Sequence, residues 1–223
     1  MVYFNGWGSW PPGDTLIHIL RLDRGTERVD TVGAYLRPWL EPPRCVLAPP
    51  ELPWGVAPDG AVVVGRQRAY GVNWHAPDGT ITHGEPVPFE PVPLTDAEKE
   101  EWFREGYLHW GTASVGVSAR STAFRESFRE LYATREWPAV LPPIRPETIR
   151  VDPEHRAWVR RSMPAGSNAT YDVFDGEGQR LMSVTLAGDR RLAGFGARSV
   201  YVAAFGAMDL VRLERYERPM PSR

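Results

Sequence analysis

The chain has almost no cysteine, almost no lysine, little net charge and no long apolar run. Cys45 is the single cysteine, which excludes an internal disulfide framework and any multi-cysteine metal centre. Lys99 is the single lysine among 26 basic residues, and 28 acidic residues bring the formal net charge to −2. That balance leaves no electrostatic footprint for nucleic acid or an anionic membrane surface. No apolar stretch approaches the ~20 residues that a membrane-spanning helix needs. There is also no Gly-x-Ser-x-Gly elbow, no Gly-x-x-x-x-Gly-Lys-[Ser/Thr] loop and no His-Glu-x-x-His pair. Gly194-Phe-Gly196 lacks the third glycine of a dinucleotide fingerprint. The N-terminus, Met1-Val2-Tyr3-Phe4-Asn5, has neither a basic leader nor a long apolar segment. It reads as a strand already under way, either pairing elsewhere or opening a piece of a longer chain.

What the 223 residues do have is proline (22), glycine (21) and nine tryptophans. With arginine supplying nearly all the positive charge, the proline and glycine excess reads as a base-composition bias, not as selection for phosphate binding. Aromatic residues favour strands, and Pro/Gly punctuation between short alternating segments points to an all-β fold.

Two stretches repeat one order of elements. Residues 54–85 run through Trp54-Gly-Val, a Pro58-Asp-Gly60 turn, Ala61-Val-Val-Val64, Tyr70-Gly-Val72, a second Pro77-Asp-Gly79 turn and Thr80-Ile-Thr82. Residues 148–186 repeat this with Ile149-Arg-Val151, Asp152-Pro-Glu-His155, Ala157-Trp-Val159, Tyr171-Asp-Val173, Asp175-Gly-Glu-Gly178 and Leu181–Val184. Pro58 aligns with Pro153, Val63 with Trp158, Arg66 with Arg161 and Tyr70 with Tyr171. Each turn places glycine where a tight hairpin needs positive φ, except that His155 stands in the glycine's place. Shorter copies flank the pair: strands at 2–6, 16–22 and 28–32 before it, and at 192–197, 200–205 and 210–216 after it. The count is four sheets of 3, 4, 4 and 3 strands. Consecutive antiparallel meanders arranged radially make a β-propeller-like array, with a sandwich as the alternative.

Residues 86–143 form an insertion between blades of this single domain, which spans 1–223. Pro86, Pro88, Pro91 and Pro93 hold its first part extended. Thr95 and Glu98 make a capping box, with Asp96 in the first turn. Trp102, Phe103, Tyr107 and Trp110 then mark one helix, and Phe124, Phe128, Leu131 and Tyr132 mark a second after a break at 111–118. The two helices either cover one mouth or edge of the β core or act as a lid over a binding site.

The stretch Leu141-Pro-Pro-Ile-Arg145, Ile149-Arg-Val-Asp152, Trp158-Val-Arg160, Tyr171-Asp-Val-Phe-Asp175, Gly178 and Leu210-Val-Arg-Leu-Glu-Arg-Tyr216 resembles the C-terminal part of bacterial six-bladed β-propeller proteins of the NHL-like type. The likeness covers most of the chain, more loosely at the N-terminus and in the insertion. It implies about six blades and an exported, periplasmic or extracellular, full-length form; this chain shows about four sheets and no leader. The shape is shared by binding scaffolds, lactonases and lyases, so the fold does not choose among them.

Two side-chain groups invite chemistry. His75 and His83 flank the Asp78-Gly79 turn; a two-residue loop sets Trp74 opposite His83 and His75 opposite Thr82, sending the imidazoles to opposite faces. A three-residue loop setting His75 across from His83 would let them share a metal. The loops that open on a propeller's usual ligand face carry Trp7, Trp10, Arg66, Arg68, Arg160 and Arg161, a set suited to an anionic ligand, a glycan or a protein. The acidic turns lack the alternating carboxylates of a calcium loop and read as hairpins. The innermost strands (55–56, 149–151 and 192–194) are mostly apolar, which disfavours a metal in a central channel. The expectation is a non-catalytic binding or scaffold domain without a cofactor, self-associating through its open edges if only four sheets are present. The alternative is a propeller hydrolase or lyase with a channel metal.

Overall fold

A computed structural model describes residues 1–5, 16–36, 53–113, 122–133, 136–145, 149–206 and 210–220. Four antiparallel sheets follow one another along the chain. Sheet 1 holds β1 (Val2–Asn5), β2 (Leu16–Asp23) and β3 (Arg28–Leu36). Sheet 2 holds β4 (Trp54–Val56), β5 (Val62–Arg66), β6 (Gly71–His75) and β7 (Ile81–His83). Sheet 3 holds β8 (Arg150–Val151), β9 (Ala157–Arg161), β10 (Ala169–Phe174) and β11 (Arg180–Leu186). Sheet 4 holds β12 (Arg190–Phe195), β13 (Ser199–Phe205) and β14 (Val211–Glu217). These are the 3, 4, 4 and 3 strands expected from the turn signals.

The sheets stack face to face in chain order, and the alternation of side chains along each strand shows how. On β5, Val62 and Val64 pack with Ile17 and Ile19 of sheet 1. Val63 between them points the other way and joins Ala157, Val159 and Phe174 of sheet 3. One residue along β9, Trp158 turns toward sheet 4 and packs with Leu192, Val200 and Val202. Both faces of β5 and β9 in the middle sheets are therefore covered, and β10 is buried at every position. Each such aliphatic side chain contributes about 1.5–3 kcal/mol on burial. The far face of sheet 4 is open, with Val211 59% and Leu213 64% exposed.

Sheets 2 and 3 share a repeated turn. In 57–61, 76–80, 152–156 and 175–179 the first residue's amide donates to the last residue's carbonyl at 2.8–3.0 Å, enclosing three loop residues. The third loop residue takes positive φ: Gly60 and Gly79 at 91°, Gly178 at 75° and His155 at 61°. This is a type I turn closed by a left-handed bulge. The aspartates hold the turns from within. Asp59 and Asp78 accept from Ala61 and Thr80, while Asp152 and Asp175 each accept two amides of their own loop.

Two register expectations are corrected. The β6–β7 hairpin pairs Asn73 with His83, Trp74 with Thr82 and His75 with Ile81. The two-residue loop would have required Pro77 to pair with Thr80, and proline has no N–H to donate. Placed at the first loop position, Pro77 makes the loop three residues long, so the histidines lie diagonally on one face instead of on opposite faces. His75 is held below the usual imidazole pKa by burial and then by His83. The second correction concerns Tyr70 and Tyr171. Arg66 pairs with Gly71 and Arg161 with Thr170, so the counterpart of Tyr171 is Val72. The β5–β6 loop is shorter than the β9–β10 loop, and aligning the two Tyr-x-Val triplets hides a two-residue offset.

The insertion's two arms pair through a Pro93–Val140 bridge. It carries α1 (Asp96–Ala113) and α2 (Thr122–Ala133). Trp102 of α1 meets Tyr132 and Trp137 edge-on, with ring centroids 4.9 and 5.4 Å apart. The side chains of Tyr107, Trp110, Phe124, Phe128 and Leu131 lie outside those described. The capping box forms: the Ala97 amide donates to Thr95 Oγ1, and the Thr95 amide donates to Glu98 Oε2 at 3.0 Å. Glu98 does more than cap. Its other oxygen accepts the Ala165 amide at 2.9 Å, Glu101 accepts the Gly166 amide at 2.8 Å, and Arg145 reaches Glu101 at 2.6 Å. The first turns of α1 are thereby docked on the β9–β10 loop.

Those donors, the Ala165 amide first and the Thr95 hydroxyl next, hold the Glu98 carboxyl down to about 2. Its unfolded value is 4.5, so its contribution is complete above that pH and is lost as pH falls toward 2. Glu98→Gln is expected to release the α1 contact at neutral pH, at a cost of about 1–2 kcal/mol. Amide exchange at Ala165 and Gly166 reads this: in the wild type, protection should fall on acidification through this window, and in the variant it should be low throughout.

Candidate functional site

The innermost strands of sheets 2, 3 and 4 converge on an open cavity of about 420 Å³, within the range that small-ligand sites occupy. From sheet 2 come Val56 and Pro58, from sheet 3 Arg150, Val151 and Pro153, and from sheet 4 Gly194 and Phe195. The convergence depends on a close backbone approach. Ile149, also in the lining, donates its amide to the Trp54 carbonyl at 3.1 Å, so the segment entering β8 runs alongside β4. On the other side, the Arg150 Nε donates to the Leu192 carbonyl of β12 at 3.1 Å.

Local irregularities shape the wall. The β12–β13 register slips between Leu192 and Gly194, which is a bulge of the kind that re-aims side chains near binding sites. A Cβ built on Gly194 meets nothing within 4 Å. Phe195 leans on Trp158, ring centroids 5.2 Å apart. Trp158 is itself fixed, its indole N–H donating to Asp152 at 3.0 Å. Asp152 is fully buried and also takes the Arg156 Nε at 2.8 Å. Arg218 joins Glu154 to the carbonyls of Gly196 and Ala197, closing the β12–β13 turn over this support. The aromatic wall is thus braced by a buried polar network.

Arg150 is the one charged residue of the lining. It is exposed, and among the described residues its Nη groups have no recorded hydrogen bond or ion pair. The lining contains no carboxylate, imidazole, thiol or hydroxyl side chain. Among the described residues, no three histidine, cysteine, aspartate or glutamate side chains gather to hold a metal.

The arginines and tryptophans singled out from the sequence lie elsewhere. Trp7 and Trp10 are outside the described residues. Arg66 and Arg161 take equivalent positions at the ends of β5 and β9 but are engaged within the fold. Arg66 donates to the Gly84 carbonyl at 2.6 Å, and Arg161 lies 3.6 Å from the buried Asp172. Arg160 pairs opposite Tyr171 on β10, and Arg68 is exposed in the β5–β6 turn. None of these four lines the cavity. The sequence signal for Arg150 was its place between the apolar Ile149 and Val151 on the innermost strand of sheet 3. The supporting role of Asp152 had no such signal beyond its position before the Pro153 turn.

His155 shows how the ends of sheets 2 and 3 are joined. Its imidazole stacks on Trp74, centroids 4.4 Å apart, with Nδ1 3.5 Å from Asp59 Oδ2. The contact offsets a backbone conformation that a non-glycine residue adopts at a cost of about 1 kcal/mol or more. His155→Gly relieves that strain but gives up the stack, whereas His155→Ala keeps the strain and also gives up the stack. The alanine variant is expected to be the less stable of the two by about 1 kcal/mol in urea unfolding; equal midpoints would remove the strain account.

Comparison with known proteins finds no matching family model, no matching curated protein and no matching solved structure.

Proposed function

We propose that this chain is a non-catalytic β-propeller binding module, corresponding to the C-terminal portion of an NHL-like six-bladed protein. Its ligand occupies the cavity where the innermost strands meet. The face-to-face stacking of consecutive antiparallel sheets supports the propeller reading, and the exported full-length form belongs to the same proposal by resemblance. The observation that carries the binding reading is the make-up of the lining. It offers hydrocarbon, one aromatic residue and a guanidinium edge unpaired among the described residues, but no side-chain acid, base or nucleophile to run a reaction.

Ligand-observed NMR of the full chain against a small-fragment mixture tests this. Fragments that bind should be displaced or lost in Gly194→Leu, which fills open space on a strand position without a positive φ. Binders indifferent to that substitution would move the site elsewhere. A stoichiometric divalent ion in the purified protein, with activity on ester or lactone substrates that a chelator abolishes, would favour the hydrolase or lyase alternative.

A further inference from the structure

We infer that the cavity selects a monocarboxylate carried on an apolar or aromatic body, with Arg150 as its anchor; this rests on the binding reading above. The guanidinium is pre-aimed. Its Nε is tied to the Leu192 carbonyl at 3.1 Å, which bridges β8 to β12 and fixes the plane of the group. The two Nη groups have no hydrogen bond or ion pair among the described residues, and on this cavity-lining residue they form the edge that takes both oxygens of a carboxylate at once. A side chain already held in place loses less freedom when the ligand arrives.

The remaining wall decides what the carboxylate is attached to. Val56, Val151, Pro58, Pro153 and Phe195 contribute hydrocarbon, while the polar part of the wall is backbone and Arg150, with no further side-chain donor or acceptor. A ligand rich in hydroxyls, such as a sugar, would find no side-chain partner besides Arg150 and only backbone groups to pair with. A phosphate dianion would meet a single cation where its charge calls for more. One guanidinium balances one carboxylate, and the valine, proline and phenylalanine side chains take the rest of the molecule.

The probes are benzoate, its neutral isostere benzamide and inorganic phosphate, titrated into the 223-residue chain at low ionic strength with ligand-observed NMR. Benzoate is expected to bind at least about tenfold more tightly than benzamide or phosphate. Arg150→Gln should remove that preference, weakening benzoate about tenfold while leaving benzamide unchanged. Gly194→Leu should abolish both. Benzoate binding that survives Arg150→Gln, or benzamide binding as tightly as benzoate, overturns the carboxylate assignment; loss in Gly194→Leu would still leave the cavity as the site. Binding of either probe that survives Gly194→Leu overturns the cavity reading together with the inference. No benzoate binding at millimolar concentration overturns the inference alone, since the fragment mixture tests the cavity independently.

Discussion

Gly55→Ala is expected to destabilise the protein by about 3 kcal/mol or more, although it adds a single methyl group on a short strand. A Cβ at position 55 would lie 2.1 Å from the Ile149 carbonyl oxygen and 2.9 Å from its carbon. Both atoms are backbone, so no rotamer change relieves the clash. The segment entering β8 must retreat from β4, giving up the 3.1 Å bond from the Ile149 amide to the Trp54 carbonyl. Val56 and Ile149 flank that contact and line the cavity, so ligand affinity should fall with stability. Gly79→Ala is the matched control. A Cβ there meets nothing within 4 Å, but φ is 91°, so only backbone strain of about 1–2 kcal/mol is expected. Urea unfolding of both variants separates the causes. A Gly55→Ala midpoint no lower than that of Gly79→Ala would mean that β4 and β8 do not approach this closely.

The elements were readable from local signals because each is specified within a few residues. The turn glycines, the prolines beside them and the capping box of Thr95 and Glu98 all act across two to four positions, and the four sheets follow from them. The histidine register was readable too, had proline's missing N–H at Pro77 been weighed against the Asp-Gly signal. The site was harder, because partners far apart in the chain decide whether a side chain is free. Arg161 looks available in sequence, yet it faces Asp172 on the next strand. Arg150 looks like one more arginine, yet it lines the cavity with its Nε tied to β12 and its Nη groups unpaired among the described residues. Glu98 reads as a helix cap, and only the fold reveals that it also holds the β9–β10 loop.

Asp172 is where the same long-range dependence carries the largest polar contribution. It is fully buried on the sheet 2 side of β10. Tyr70, 102 positions earlier, donates its hydroxyl to Oδ2, Ser183 donates to Oδ1 at 2.5 Å, and Arg161 and Arg180 lie 3.6 and 4.0 Å away. Burial, and then the negative charge of Asp172, push the Tyr70 phenol above its ordinary pKa, so it remains a protonated donor. Tyr70→Phe keeps the ring between Phe89 and Phe174 and removes only that donor, at an expected cost of about 1–2 kcal/mol. Asp172→Ala leaves the Tyr70 hydroxyl without an acceptor and Arg161 without its counter-ion, and should cost about 3–5 kcal/mol. Asp172→Asn retains one acceptor but no charge and should fall between. Because the groups share one carboxylate, the double variant should be more stable than the sum of the single losses predicts, by about 1–3 kcal/mol. Benzoate affinity should be untouched in Tyr70→Phe, since neither Tyr70 nor Asp172 lines the cavity. Additive losses in urea unfolding would mean that Tyr70 and Asp172 act separately and that their bond does not couple sheet 2 to sheet 3.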